Sequence, residues 1–137
     1  MATRRQGREL ALQALYALDL AAARDGRALQ LFWENFSPDA SVRKFAGELV
    51  EGVVSNLKDI DGNIEKASKH WSKGRMAKVD LNILRLAVFE LLFRQDIPKN
   101  VTLNEAIEVA KKYGTEDSPA FVNGILDEIA TMVPEKP

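Results

Sequence analysis

Apolar residues recur at i, i+3, i+4 and i+7 from one end of the chain to the other. No run of four to eight residues alternates apolar with polar between turn signals, as a half-buried strand would. The pattern predicts an all-α fold. A first helix is expected from Arg4 to Leu20, with Ala11, Ala14, Leu15 and Leu18 on one face and Gly26 marking the loop after it. A short helix from Ala28 to Phe36 carries Leu29, Phe32, Trp33 and Phe36 on one side, and Ser37-Pro38-Asp39 stops it. From Ser41, the series Val42, Phe45, Ala46, Leu49, Val53 and Leu57 makes the longest amphipathic stretch. A more polar segment then runs through Ile60, Ile64 and Ala67 to a break at Lys73-Gly74.

The second half opens on the most apolar segment. Of the 15 residues from Val79 to Phe93, 11 are hydrophobic and they occupy nearly every side of the wheel, which places this helix at the centre of a bundle. After Ile97-Pro98, the tetrad Thr102-Leu103-Asn104-Glu105 fits a capping box at a helix start. Leu103, Ala106, Ile107, Ala110 and Tyr113 then form a buried stripe, and Gly114 suits the position after the helix end. The last helix opens at Ser118-Pro119, cap then first-turn proline, and buries Val122, Ile125, Leu126 and Ile129, with Pro134 and Pro137 ending the order. About seven helices in one domain over residues 1–137 are expected, because no repeat, low-complexity tract or linker divides the chain.

Composition narrows the chemistry. At 137 residues, 46% hydrophobic and 28% charged, the chain is long enough and apolar enough to bury a core. It has no cysteine, and its single histidine, His70, cannot build a multi-histidine site, so neither metal nor cofactor is expected. The start, MATRRQGREL, has no apolar segment after its arginines, and no apolar run approaches the roughly 18 residues of a membrane span. A cytoplasmic protein without a membrane role is the expectation. The net charge of −1 leaves nucleic-acid binding to local patches.

No enzyme is expected, since the chain has no Gly-rich phosphate loop, G-x-S-x-G elbow, H-E-x-x-H or cysteine nucleophile. His70 and Ser72 stand two apart at a polar helix end, a spacing at which side chains do not face each other. Glu116-Asp117 and Glu105/Glu108 read as carboxylates that stabilise helix N-termini.

Binding features are present. Arg4, Arg5 and Arg8 precede any acid, and Arg5, Gln13 and Tyr16 share one side of the first helix. They read either as phosphate, base-edge and stacking contacts to a nucleic acid, or as a solvated arm with a half-buried tyrosine. Lys111 and Lys112 lie close to the Ser118-Pro119 helix start, a pairing that suits phosphate and that ordinary helix-end chemistry also explains. Phe121 stands at the edge of the Val122/Ile125 stripe, as a packing residue or a stacking ring. Asp117, one residue before that helix, stabilises its N-terminus while repelling a phosphate that arrives there. On the central helix, Asn82, Arg85 and Phe89 fall in one sector with Phe93 beside it. The strip reads as a protein-binding hot spot or as a snorkelling arginine over second-layer rings.

Two stretches carry a family resemblance: RRQGRELALQALYALDL at Arg4–Leu20, and ILRLAVFELLFRQDIPKNVTLNEAIEVAKKYGTEDSPAFVNGILDEIA at Ile83–Ala130. They resemble the NusB family of bacterial transcription antitermination factors, most specifically in A-L-Q-A-L-Y, N-E-A-I-E-x-A-K-K-Y-G and E-D-S-x-x-F-V-N-G. The middle, from Ala21 to Lys78, is similar mainly in helix pattern. The resemblance implies an all-helical fold in two halves of three or four helices, and RNA binding without catalysis. It also implies a heterodimer with the small-subunit ribosomal protein that serves as NusE, binding the boxA element of nascent RNA within the RNA polymerase antitermination complex of ribosomal RNA operons.

By motif position, the resemblance puts Arg4, Arg5, Arg8, Gln13 and Tyr16 on an RNA-facing first helix and Lys111, Lys112, Phe121 and Asn123 in a second RNA-facing region. It puts Asp80 and Arg85 at the ribosomal partner, with the Asn82/Phe89 strip as an extension of that contact. Only three early arginines are present, so RNA affinity without the partner is expected to be low. Competing readings are a NusB-like domain of the kind fused to RNA cytosine methyltransferases, disfavoured because the sequence stops at Pro137 without a cofactor-binding domain, and a helical scaffold with no antitermination role. Monomer and homodimer both stay open for the free state.

Overall fold

The helical periodicity is realised as seven α-helices in a computed structural model that describes residues 2–20, 26–36, 39–68 and 75–136. These are α1 (Ala2–Leu20), α2 (Gly26–Asn35), α3 (Ala40–Ser55), α4 (Leu57–Ala67), α5 (Lys78–Phe93), α6 (Lys99–Tyr113) and α7 (Ser118–Thr131), with no strand among the described residues. His70, Ser72, the Ser37-Pro38 stop, the Lys73-Gly74 break and Pro137 lie outside the described residues.

The two halves, α1–α3 and α4–α7, meet on α5. Every residue from Leu81 to Leu91 is buried, and α5 packs against α1, α3, α4, α6 and α7. That follows from its composition, since a helix apolar on all sides has no face to give to water. Leu84 and Leu91 of α5 and Leu49, Ile60, Ile64, Leu126 and Ile129 around it are fully buried, each contributing about 1.5–3 kcal/mol relative to exposure. Gly52 of α3 makes room for α5, because a Cβ there would overlap the ring of Phe89. No helix among the described residues is long and apolar enough to cross a membrane.

Three local expectations need correction. Thr102 does not cap α6: the helix starts a turn earlier, at Lys99 after Pro98, and Thr102 is buried and donates to Glu90 Oε1 at 2.8 Å. Pro98 has no N–H to leave orphaned, and its carbonyl accepts from the Val101 and Thr102 N–H groups at 3.1 and 3.2 Å. Gly114 has φ −93° and ψ −165°, not a left-handed conformation. Its lack of a side chain matters for space, because a Cβ would collide with Ser118 and with the Ala110 carbonyl. Ser118 lies inside α7, whose N-cap is Asp117, and its hydroxyl accepts from the Thr115 N–H at 2.9 Å to brace the α6–α7 turn. The stretch after Ser41 is divided at Asn56, whose side chain donates to the Gly52 carbonyl at 2.9 Å.

Two lysines close the helix ends of the second half. Lys136 donates to the carbonyls of Glu90, Arg94 and Ile97 at 2.9, 2.8 and 2.6 Å, and burial lowers the pKa of its amine. Lys99 donates to the carbonyls of Ala130 and Val133 at the end of α7. Carbonyls left over at a helix C-terminus are thereby satisfied by cations, the favourable sign for that end of the dipole.

Candidate nucleic-acid interface

The side chains singled out on α1 divide between a seam and the core. Along the seam between α1 and α6, the Arg5 guanidinium grips Glu105 with two bonds, Nε to Oε1 at 3.1 Å and Nη2 to Oε2 at 2.7 Å. One turn along, Lys112 donates to Glu9 Oε1 at 2.9 Å, and the Tyr113 hydroxyl donates to the same oxygen at 3.1 Å. Residues 5, 9, 13 and 16 share a face of a helix, so Gln13, exposed, and Tyr16, half-buried, continue the seam beyond Glu9. The bonded carboxylates raise the pKa values of Arg5 and Lys112, and the Arg5 bond lowers that of Glu105. The Arg5 and Lys112 side chains are 53% and 59% exposed, whereas Glu105 and Glu9 are only 16% and 18% exposed. The cations face outward and the acids are recessed.

Arg8 is different, and here the expectation of a three-arginine surface cluster is corrected. It is buried and clasps Glu90 of α5 through Nε at 2.8 Å and Nη2 at 2.9 Å, while Thr102 also donates to Glu90. Its place follows from spacing, since Arg8 sits three, four and seven residues before Ala11, Leu12 and Leu15 and so shares their buried face. A carboxylate in the middle of buried α5 requires a cation, and Arg8 supplies it. Arg4 turns to Asp96 at 3.2 Å, where Arg94 also binds through two bonds of 2.9 Å. The Arg94 guanidinium, aided by Arg4, holds the Asp96 carboxyl well below the usual carboxylate range. Arg4, Arg8 and Arg94 all approach the Phe45 ring, at 4.9, 5.5 and 5.4 Å from its centre.

The second expected region stands at the α6–α7 turn. Lys111 is exposed and 3.8 Å from Glu108, Asp117 is exposed without a side-chain cap bond, and Asn123 is half-buried. Phe121 packs partly buried against the core.

The expected partner strip on α5 is also corrected. Asn82, Arg85 and Phe89 are all buried. Arg85 binds Asp61 of α4 through Nε at 2.9 Å and Nη2 at 3.0 Å, and it reaches Asp19 of α1 at 3.1 Å, while Asn82 donates to Asp19 at 2.7 Å. The guanidinium neither snorkels nor presents itself to a partner, because two carboxylates from flanking helices hold it inside. Phe89 fills the space over Gly52 and stacks at 5.7 Å on Phe93, which is exposed. Of the four residues expected at the partner, Asp80 alone is partly exposed, and its Oδ1 has no hydrogen-bond partner among the described residues. Among those residues no cluster of three His, Cys, Asp or Glu could hold a metal.

Sequence reasoning missed Glu9, Glu90, Asp19, Asp61 and Arg94. Glu90 did leave a signal: it is an acid one turn beyond buried Leu86 and Ala87, and it calls for a cation from another helix.

The arrangement of helices is that of a NusB-type all-helical protein. The chain superposes on Thermotoga maritima NusB with a TM-score of 0.84 and 40% identity, over 96% of this chain and 93% of that one. A crystal structure of antitermination factors NusB and NusE in complex with dsRNA contains a chain that matches with a TM-score of 0.83 and 30% identity, over 96% and 98% of the two chains. The transcription antitermination protein NusB of Geobacter sp. strain M21 is 63% identical over 99% of both chains. Residues 5–131 match the NusB family, and the chain belongs to it. It is a transcription antitermination factor and not an enzyme.

Proposed function

We propose that the chain acts in the cytoplasm as one RNA-binding domain over residues 1–137. In this reading it binds boxA-type single-stranded RNA as a heterodimer with the small-subunit ribosomal protein NusE, within the RNA polymerase antitermination complex of ribosomal RNA operons. The observation that carries this reading is the likeness, over nearly the whole chain, to the protein crystallised as NusB with NusE and dsRNA. The RNA-facing residues are Arg4, Arg5, Gln13, Tyr16, Lys111, Lys112, Asp117 and Asn123, with Phe121 supporting the α7 side. Arg8 contributes through the core contact that fixes α1 on α5 and α6. Asp80 is the partner-facing residue, while Asn82, Arg85 and Phe89 hold the helix that carries it.

The seam offers the chemistry this role needs: guanidinium and ammonium for phosphate, an amide for a base edge and a ring for a base face. A specific observation favours a second reading, a helical scaffold without an RNA role, because Arg5 and Lys112 are already paired with acids of this chain. One experiment separates the two. Labelled boxA-type, scrambled and duplex RNA are titrated with the chain alone, with NusE and with both at two salt concentrations. The expected result is weak binding by the chain alone and tighter, sequence-dependent binding by the pair, with RNA strengthening the pair equally in return. Equal RNA affinity with and without NusE removes the heterodimer mechanism, and no binding by either supports the scaffold. Sizing the free chain across a concentration series decides between monomer and homodimer.

A further inference from the structure

The two cations that project most on the α1–α6 seam are each held by a carboxylate from the facing helix, and in both pairs the acid is the recessed member. Each acid also has a second favourable contact. Glu105 lies 3.7 Å from Nη1 of buried Arg8, and Glu9 accepts from the Tyr113 hydroxyl. If Arg5 or Lys112 swings outward, the carboxylate it leaves is therefore not stranded. The fork by which Arg5 grips Glu105 is the geometry by which a guanidinium grips a phosphate.

We propose that Glu105 and Glu9 are internal stand-ins for the RNA backbone, occupying the seam's cations in the free protein and being exchanged for phosphate when RNA binds. The inference rests on the reading of this seam as the RNA face and names the regulation of that face. Each phosphate contact must displace a carboxylate, so affinity is lower than the number of exposed cations suggests. The salt dependence is shallower as well, because the released acid takes up a cation from solution and offsets part of the counterion release. A polyanion that meets only one cation gains little, whereas an RNA that engages Arg5 and Lys112 together opens both pairs.

The test compares Glu105→Gln, Glu9→Gln, the double variant and Arg5→Ala, each in complex with NusE, by titration of boxA-type RNA at a series of salt concentrations. Thermal melting confirms that each variant is folded. Glu9→Gln leaves the Glu105–Arg8 contact in place, so it keeps the test open if loss of that contact loosens the fold. The expected result is tighter binding at low salt, by roughly two- to fivefold per carboxylate, the range of an exposed ion pair, with a steeper salt slope and accumulation in the double variant. If Arg5→Ala weakens binding while both Gln variants bind as before or more weakly, the acids only position their cations; the exchange is overturned and the RNA face stands. If Arg5→Ala changes nothing, the RNA face itself fails and the exchange fails with it.

Discussion

Arg85 and Arg5 have the same side chain, and each makes a two-bonded contact with a carboxylate of another helix, yet the two regions do opposite things. Around Arg85, two acids, an amide and the guanidinium are sealed between α1, α4 and α5, and the group ties those helices together. Around Arg5 the pair lies at the rim, the cation more than half exposed, and water competes for every bond. A buried pair costs several kcal/mol to desolvate and becomes strongly destabilising when one member is lost, whereas an exposed pair adds little to stability and can be traded for another ligand. Burial of the guanidinium itself, not the residue type, separates a structural arginine from an available one.

The most severe way to break that contrast is Arg85→Ala, which strands Asp19 and Asp61 in the core. A loss of about 3–5 kcal/mol is expected by urea unfolding, and a loss near zero would show that the cluster is as exchangeable as the seam. Next come two substitutions three residues apart. Arg8→Ala is expected to approach the same cost because buried Glu90 loses its cation, while Arg5→Ala leaves the melting midpoint nearly unchanged and lowers the slope of log affinity against log salt for single-stranded RNA by less than the roughly 0.7 of a full phosphate contact. A similar effect of both on melting would erase the division drawn along α1.

A smaller effect sharpens the rim side. The folded carboxyls of Asp96 and Glu105 titrate below their unfolded values, about 3.9 and 4.3, because Arg94 and Arg5 respectively favour the charged forms. Their contribution to stability is present above those values and is lost as pH falls through the folded ones. Acid unfolding of the wild type is therefore expected to steepen below about pH 4. Asp96→Asn, which lacks the contribution at every pH, should show a flatter acid limb, and parallel curves would count against the pair. The smallest change expected is that of Asp117→Asn. Thermal stability falls slightly, by about 0.3–1 kcal/mol for a carboxylate at a helix N-terminus, and RNA binding tightens at low salt with a gain that salt removes. Weaker binding at low salt would move the RNA backbone away from the start of α7.

Helix number and the central place of α5 were legible because both rest on periodicity, and 11 apolar residues in 15 leave a helix no exposed face. The positions of Gln13 and Lys111 were legible as surface for the same reason. Arg8, Arg85 and Thr102 were not, since a polar side chain on an apolar face is read as an outlier until its partner is known, and the partners lie 82, 24 and 12 residues away. The capping box failed on α6 because Pro98 starts the helix earlier, leaving Thr102 free to serve Glu90. The α1–α6 pairs could not be read at all: which acid recesses behind which cation depends on how two helices 100 residues apart are set side by side.

The ammonium of Lys136 closes the last turn of α5 and the turn after it, and it lies 42 residues downstream of Arg94. Chains are made from the N-terminus, at about 5–20 residues per second, so on the ribosome the end of α5 waits about 2–8 s for its closure. For part of that interval α6 and α7, which cover the same helix, are also incomplete. The most apolar helix of the protein is thus the one whose cover arrives last. During synthesis it depends on α1, α3 and α4, already made, to shield its faces, and the nascent chain is most open to chaperone capture between the appearance of Phe93 and that of Lys136.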